Sequence, residues 1–111
     1  MKIEFNLFKL KKDSKTYQQW STKDYMKKEL DLDIIIVGKE KLGDKLYLRG
    51  STIGDKGLTL IGGLMLDESG YLIPEEDLQY TSCSMEFNIH KKYLNVRIIE
   101  DIQRINDRLI G

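Results

Sequence analysis

The sequence predicts an α+β domain: a mostly antiparallel sheet of five to seven short strands, with an N-terminal helical segment and a C-terminal helix packed on one side. Three observations carry that expectation. The run Asp33–Val37 is solidly apolar beyond its first residue and rich in β-branched side chains, as in a strand buried on both faces. Residues 2–10 and 78–89 alternate apolar with polar, the period of half-buried strands. Ile98, Ile102, Ile105 and Leu109 fall on one face of a helix.

Taken in order, Ile3, Phe5 and Leu7 share one parity while Phe8 and Leu10 take the other, so the first strand is expected to bulge or end near Asn6–Leu7. Asp13 and Ser14 are good N-caps for the segment SKTYQQWSTKDYMKKEL. Tyr17 and Trp20 share one helical face and Met26 and Leu30 another, and the two pairs lie on different stripes. Two short helices, or one broken near Ser21, are expected, the second capped by Ser21 or Thr22. Eight glycines between Gly38 and Gly70 suggest short strands joined by turns. Lys45–Arg49 is one strand, with Leu46 and Leu48 on one face and Tyr47 on the other. Leu58–Leu66 is another, bent or bulged at Gly62-Gly63. A turn over Asp67–Gly70 leads into a strand at Tyr71–Ile73.

Pro74 suits a first helical position, and Glu75, Glu76 and Asp77 complement a helix dipole, so one helical turn is expected there. In the next strand Cys83, Met85, Phe87 and Ile89 should be buried, opposite a wet face of Ser84, Glu86 and Asn88. The last helix should run from about 99 to 110, with Glu100 and Asp101 early, and Arg104 and Arg108 late. In residues 91–98, Leu94, Val96 and Ile98 alternate with Asn95 and Arg97, which favours a strand before the helix; a longer helix from Lys91 is the alternative, since Leu94 and Ile98 also fit helical spacing.

With 111 residues the chain fits one domain, 1–111, large enough for a core without staples. Its single cysteine, Cys83, precludes an intramolecular disulfide, and with one histidine, His90, no zinc-ligand spacing is present. No apolar run approaches the ~20 residues that cross a bilayer, and MKIEFNLFKLKK alternates like a strand rather than a signal peptide. A cytoplasmic protein without membrane association is expected. Alanine is absent while lysine and isoleucine abound, which suggests an AT-rich coding sequence, as in a low-GC bacterium or its phage or mobile elements. Net charge is zero but uneven: residues 1–30 hold eight lysines against four acids, and Asp67–Asp77 holds five acids and no base.

Several segments carry residue types that bear on chemistry. Arg49–Gly57 is glycine-rich with Ser51, Thr52 and Lys56, but lacks the spacing and helix of a phosphate-binding loop and reads as a hairpin loop. Asp31 and Asp33 form a carboxylate pair without a third ligand. Cys83 and His90 are placed on opposite sides by their alternation, so they do not read as a nucleophile and base. No catalytic residue, metal or cofactor is expected. The remaining feature is basic and aromatic: Tyr17, Trp20, Lys23, Tyr25, Lys27 and Lys28, preceded by Lys11, Lys12 and Lys15. Lysines among flat rings suit a protein interface or nucleic-acid stacking. An acidic surface of Asp67, Glu68, Glu75, Glu76 and Asp77 is its counterpart.

The first expectation is therefore a small non-catalytic protein-interaction or regulatory protein, of the accessory, inhibitor or immunity kind, with another protein as partner. A nucleic-acid-binding module using segment 11–28 is the alternative. A small-ligand binder or enzyme with its site in the glycine-rich loops of residues 38–70 is the third. Homo-oligomers through a sheet edge are also possible for such a sheet.

Overall fold

The computed structural model describes residues 2–53, 71–88 and 96–110. Strand β1 (Lys2–Leu10) leads into helix α1 (Lys15–Ser21) and a 3-10 turn at Lys27–Glu29. Strands β2 (Asp33–Leu42), β3 (Lys45–Ile53) and β4 (Tyr71–Pro74) follow, then a 3-10 turn at Glu75–Asp77, strand β5 (Leu78–Asn88) and helix α2 (Val96–Ile110). All strand pairs are antiparallel, in the order β4-β3-β2-β1-β5.

The two outermost strands of this sheet are consecutive in the chain, joined by three residues. In a flat five-stranded sheet they would lie about 19 Å apart, four spacings of about 4.8 Å. The four links from Pro74 to Leu78 reach about 14 Å even when fully extended. The sheet must therefore curl, and the 3-10 turn bridges its open side. Lys11, just past the end of β1, donates its backbone N–H to the carbonyl of Asp77 at 2.9 Å and ties the bridge down.

Inside the curl, Phe8, Leu10, Ile34, Ile36, Leu48, Ile73 and Leu78 form one buried cluster, completed by Trp20 from α1, Met26 beyond it and Ile105 from α2. Tyr17 and Leu109 pack against its margin. Cross-strand register explains the membership, since Phe8 pairs with Ile34, Leu10 with Leu78 and Leu48 with Ile73, and partners share a face. Gly50 pairs with Ile36 and Tyr71; a Cβ there would lie 2.7 Å from Ile34 Cγ2 and 2.8 Å from Ile73 Cδ1, so close packing requires glycine. On the alternate parity Phe5, Leu7, Ile35 and Val37 are buried as well, as the apolar run in β2 predicts. Helix α2 packs against β2 and β1.

Two irregularities set the local geometry. On β2, Val37 is an extra residue between the Ile36–Gly50 and Gly38–Arg49 pairs. Between β1 and β5 the register shifts at Leu7, where the parity of the sequence switches; Thr81, Ser82 and Cys83 stand opposite it. The Thr81 hydroxyl donates to the Leu7 carbonyl at 2.8 Å and accepts from the Cys83 backbone N–H at 3.3 Å, while Ser82 takes a positive φ of 64°.

The structure corrects several expectations. Of the five described strands only β4 is short; the others run nine to eleven residues. Ser14 caps α1 through the Tyr17 N–H as expected, but no second helix follows. The hydroxyls of Ser21 and Thr22 turn back to the carbonyls of Gln18 and Gln19, closing α1 instead of opening another helix, and only the 3-10 turn remains. Cys83 and Met85 are exposed, not buried: residues 82–86 are exposed on both parities, in a strand at the edge of the described sheet. Residues 96–98 are helical, against the strand that alternation favours there; 91–95 lie outside the described residues. So do the expected strand Leu58–Leu66 and the turn Asp67–Gly70.

Candidate functional site

Between α1, the start of β3, β4 and the 3-10 bridge lies a groove of about 650 Å³. Its apolar surface comes from Trp20, Tyr47, Leu72 and Pro74. Its polar rim carries Lys11, Asp13, Lys15 and the Lys45–Glu76 ion pair at 2.9 Å. A second depression of about 520 Å³ adjoins it across Lys11–Asp13 and adds Lys9, Lys12 and Tyr80.

The groove's walls are fixed by buried hydrogen bonds. Asp77 Oδ2 accepts from the Thr16 hydroxyl at 2.6 Å and from the Thr16 backbone N–H at 3.2 Å. Asp77 thus satisfies a donor in the first turn of α1 that no helical carbonyl can reach, while Ser14 satisfies the next. This arrangement holds α1 against the bridge that closes the sheet. Around it, the Lys45 ammonium pushes the Glu76 carboxyl below its ordinary range by hydrogen bonding, and Glu76 in turn raises Lys45.

The expected interaction residues separate. Trp20 is 7% exposed and belongs to the core, its ring meeting Tyr71 edge-on with centroids 5.0 Å apart. Tyr17 is half-buried, with its hydroxyl 3.5 Å from Asp31. Lys23, Tyr25, Lys27 and Lys28 are exposed, and Lys27 pairs with Asp24 at 3.1 Å. Tyr25, at 69%, is the ring of that segment that faces solvent.

The acidic residues separate too. Asp77 is buried, Glu76 is held by Lys45 and Glu75 by Arg108 at 3.0 Å, while Asp67 and Glu68 lie outside the described residues. Asp77 carries a fold-closing role that charge patterning alone assigned to a surface. Among the described residues no three His, Cys, Asp or Glu side chains gather as a metal site, and His90 lies outside them.

The glycine-rich candidate is largely strand. Arg49–Ile53 belongs to β3, Arg49 pairs with Glu40, and Thr52 donates to Glu29 at 2.6 Å; residues 54–57 lie outside the described residues. Sequence reasoning missed the groove because Tyr47, Leu72 and Pro74 are far from Lys11–Trp20 in the chain. Lys11 and Lys15, flagged with the basic segment, are the part of its rim that composition does reveal. No described helix is long and apolar enough to cross a membrane. Comparison with models of protein families, with curated proteins and with solved structures gave no match for this chain.

Proposed function

We propose that the protein is a non-catalytic interaction or regulatory domain, and that the groove beside α1 receives an extended segment of a partner protein. The observation that carries this reading is the groove itself: an apolar floor of Trp20, Tyr47, Leu72 and Pro74 within a polar rim, on walls locked by the Asp77–Thr16 bonds. With Lys45 neutralised by Glu76, the lysines Lys9, Lys11, Lys12 and Lys15 outnumber Asp13 and Asp77 around the two depressions, which favours an acidic segment. The test is a native pull-down from host lysate, treated with nuclease, run with wild type, Tyr47→Ala and a Lys11→Glu/Lys15→Glu variant. A stoichiometric protein retained by wild type and lost by both variants supports the reading. Equal retention by all three removes the groove from it.

A second reading has an observation of its own. The same lysines, with Lys23, Lys27, Lys28 and the exposed Tyr25, suit phosphates and one stacked base. Binding of a single-stranded oligonucleotide must then fall steeply with salt; a flat dependence between low and physiological ionic strength eliminates it.

A further inference from the structure

A second surface lies at the mouth of the curl, apart from the basic rim of the groove. Register puts Tyr71 opposite Gly50 and Thr52 opposite Ile34, so Tyr71 and Thr52 stand on the same face of adjacent strands, one diagonal step apart. The Thr52 hydroxyl donates to Glu29 Oε2 at 2.6 Å and fixes that half-buried carboxylate there. Tyr71, although partly exposed, packs edge-on against Trp20 and is thereby held in place. Tyr25 stands four residues before Glu29 with its ring in solvent. Desolvation first, then the negative charge of Glu29 and Tyr25, raises the Tyr71 phenol above its ordinary value.

Among the described residues no lysine, arginine or histidine pairs with Glu29. A fixed, half-buried carboxylate on a surface that also carries tyrosine rings is chemistry suited to a cation. We propose that Glu29, Tyr25 and Tyr71 form a binding site for a guanidinium group, the side chain of an arginine presented by a partner. A planar guanidinium can stack on a tyrosine ring while donating to the carboxylate oxygens that Thr52 leaves open, a geometry a compact ammonium matches less well.

The test uses the full chain and N-acetyl-arginine amide as probe, with the neutral isostere N-acetyl-citrulline amide as control. Trp20 is the chain's one tryptophan and touches Tyr71, so its emission reports occupancy, and backbone amide shifts of Tyr25, Glu29 and Tyr71 locate it. Saturable binding in the millimolar range is expected for the arginine probe, weaker by about tenfold or more for citrulline. Glu29→Gln keeps an acceptor for Thr52 but removes the charge, and should weaken arginine binding by about tenfold. Tyr25→Ala, at a fully surface position, should weaken it several-fold without altering the melting curve. An equal response to both probes, no saturable response, or undiminished binding by Glu29→Gln overturns the proposal. A lysine probe binding as well as arginine would overturn the guanidinium assignment.

Discussion

Replacing Asp77 with alanine tests whether the bridge between the outer strands is held by its carboxylate. The substitution removes two hydrogen bonds to a charged acceptor, one short at 2.6 Å and one longer at 3.2 Å. It leaves the hydroxyl and the backbone N–H of Thr16 without partners, at a residue that is 4% exposed. Bonds to charged groups are worth roughly 1.5–3 kcal/mol each, and the longer one belongs at or below the low end. A loss of about 3 kcal/mol is expected, a large part of the 5–15 kcal/mol typical of a small domain. At about 4–5 °C per kcal/mol, the midpoint should fall by roughly 12–15 °C. Asp77→Asn retains an oxygen acceptor and should lose only about 1 kcal/mol. Thr16→Val removes the hydroxyl bond alone and should cost about 1–2 kcal/mol. Urea unfolding followed by Trp20 emission measures all three, and the Asp77→Ala/Thr16→Val double variant gives the coupling. A loss below about 1 kcal/mol for Asp77→Ala, or strict additivity in the double variant, would refute the assignment.

The two glycines with a stated reason should respond differently. Gly50→Ala forces a methyl between Ile34 and Ile73 and should destabilise by about 1–3 kcal/mol in a thermal melt. Gly43, in the β2–β3 turn, has φ +62° and open space around it, so Gly43→Ala should cost about 1 kcal/mol from backbone strain alone, and Gly43→Asn less. The Glu76 carboxyl is lowered by Lys45, so its contribution is present above the unfolded carboxylate value and lost as pH falls through the lower folded one. Both partners are solvent-exposed, so Glu76→Gln should change pH melts only slightly, and less at high salt. Tyr71 has the opposite sense: its raised phenol favours the neutral form in the folded state, so stability is full below the ordinary tyrosine value and declines as pH rises above it. Tyr71→Phe should remove that alkaline component, and ultraviolet titration should show one fewer late-ionising tyrosine.

What the sequence makes legible is what depends on near neighbours. The apolar run Ile34–Val37, the parity switch at Leu7, the Ser14 cap and the stripe through Ile105 and Leu109 are each set by residues a few positions apart, and the structure follows them. Alternation in β5 reveals a strand but not whether either side is covered, since burial depends on strands and helices distant in the chain. Cys83 and Met85 went to solvent for that reason. Trp20 looks equally suited to a surface or a core until α1 is seen seated over the curl. Asp77 reads as one of five acids until its oxygen is found on Thr16, sixty-one residues away. The groove has the same character, because its floor and rim come from separate stretches joined only by the closed sheet.

The interior position of β1 has a consequence for synthesis. It is made before the other described strands, yet it lies between β2 and β5, with Lys2 opposite Asn88 and Leu10 opposite Leu78. On the ribosome it can meet β2 early, but most of its pairing, from Lys2–Asn88 to Leu10–Leu78, must wait for β5. A chain released before residue 78 would carry an unprotected inner strand, the kind of edge that pairs with other molecules. Because so many pairings join distant parts of the chain, folding belongs to the millisecond-to-second range of non-local β topologies rather than the microseconds of helical bundles.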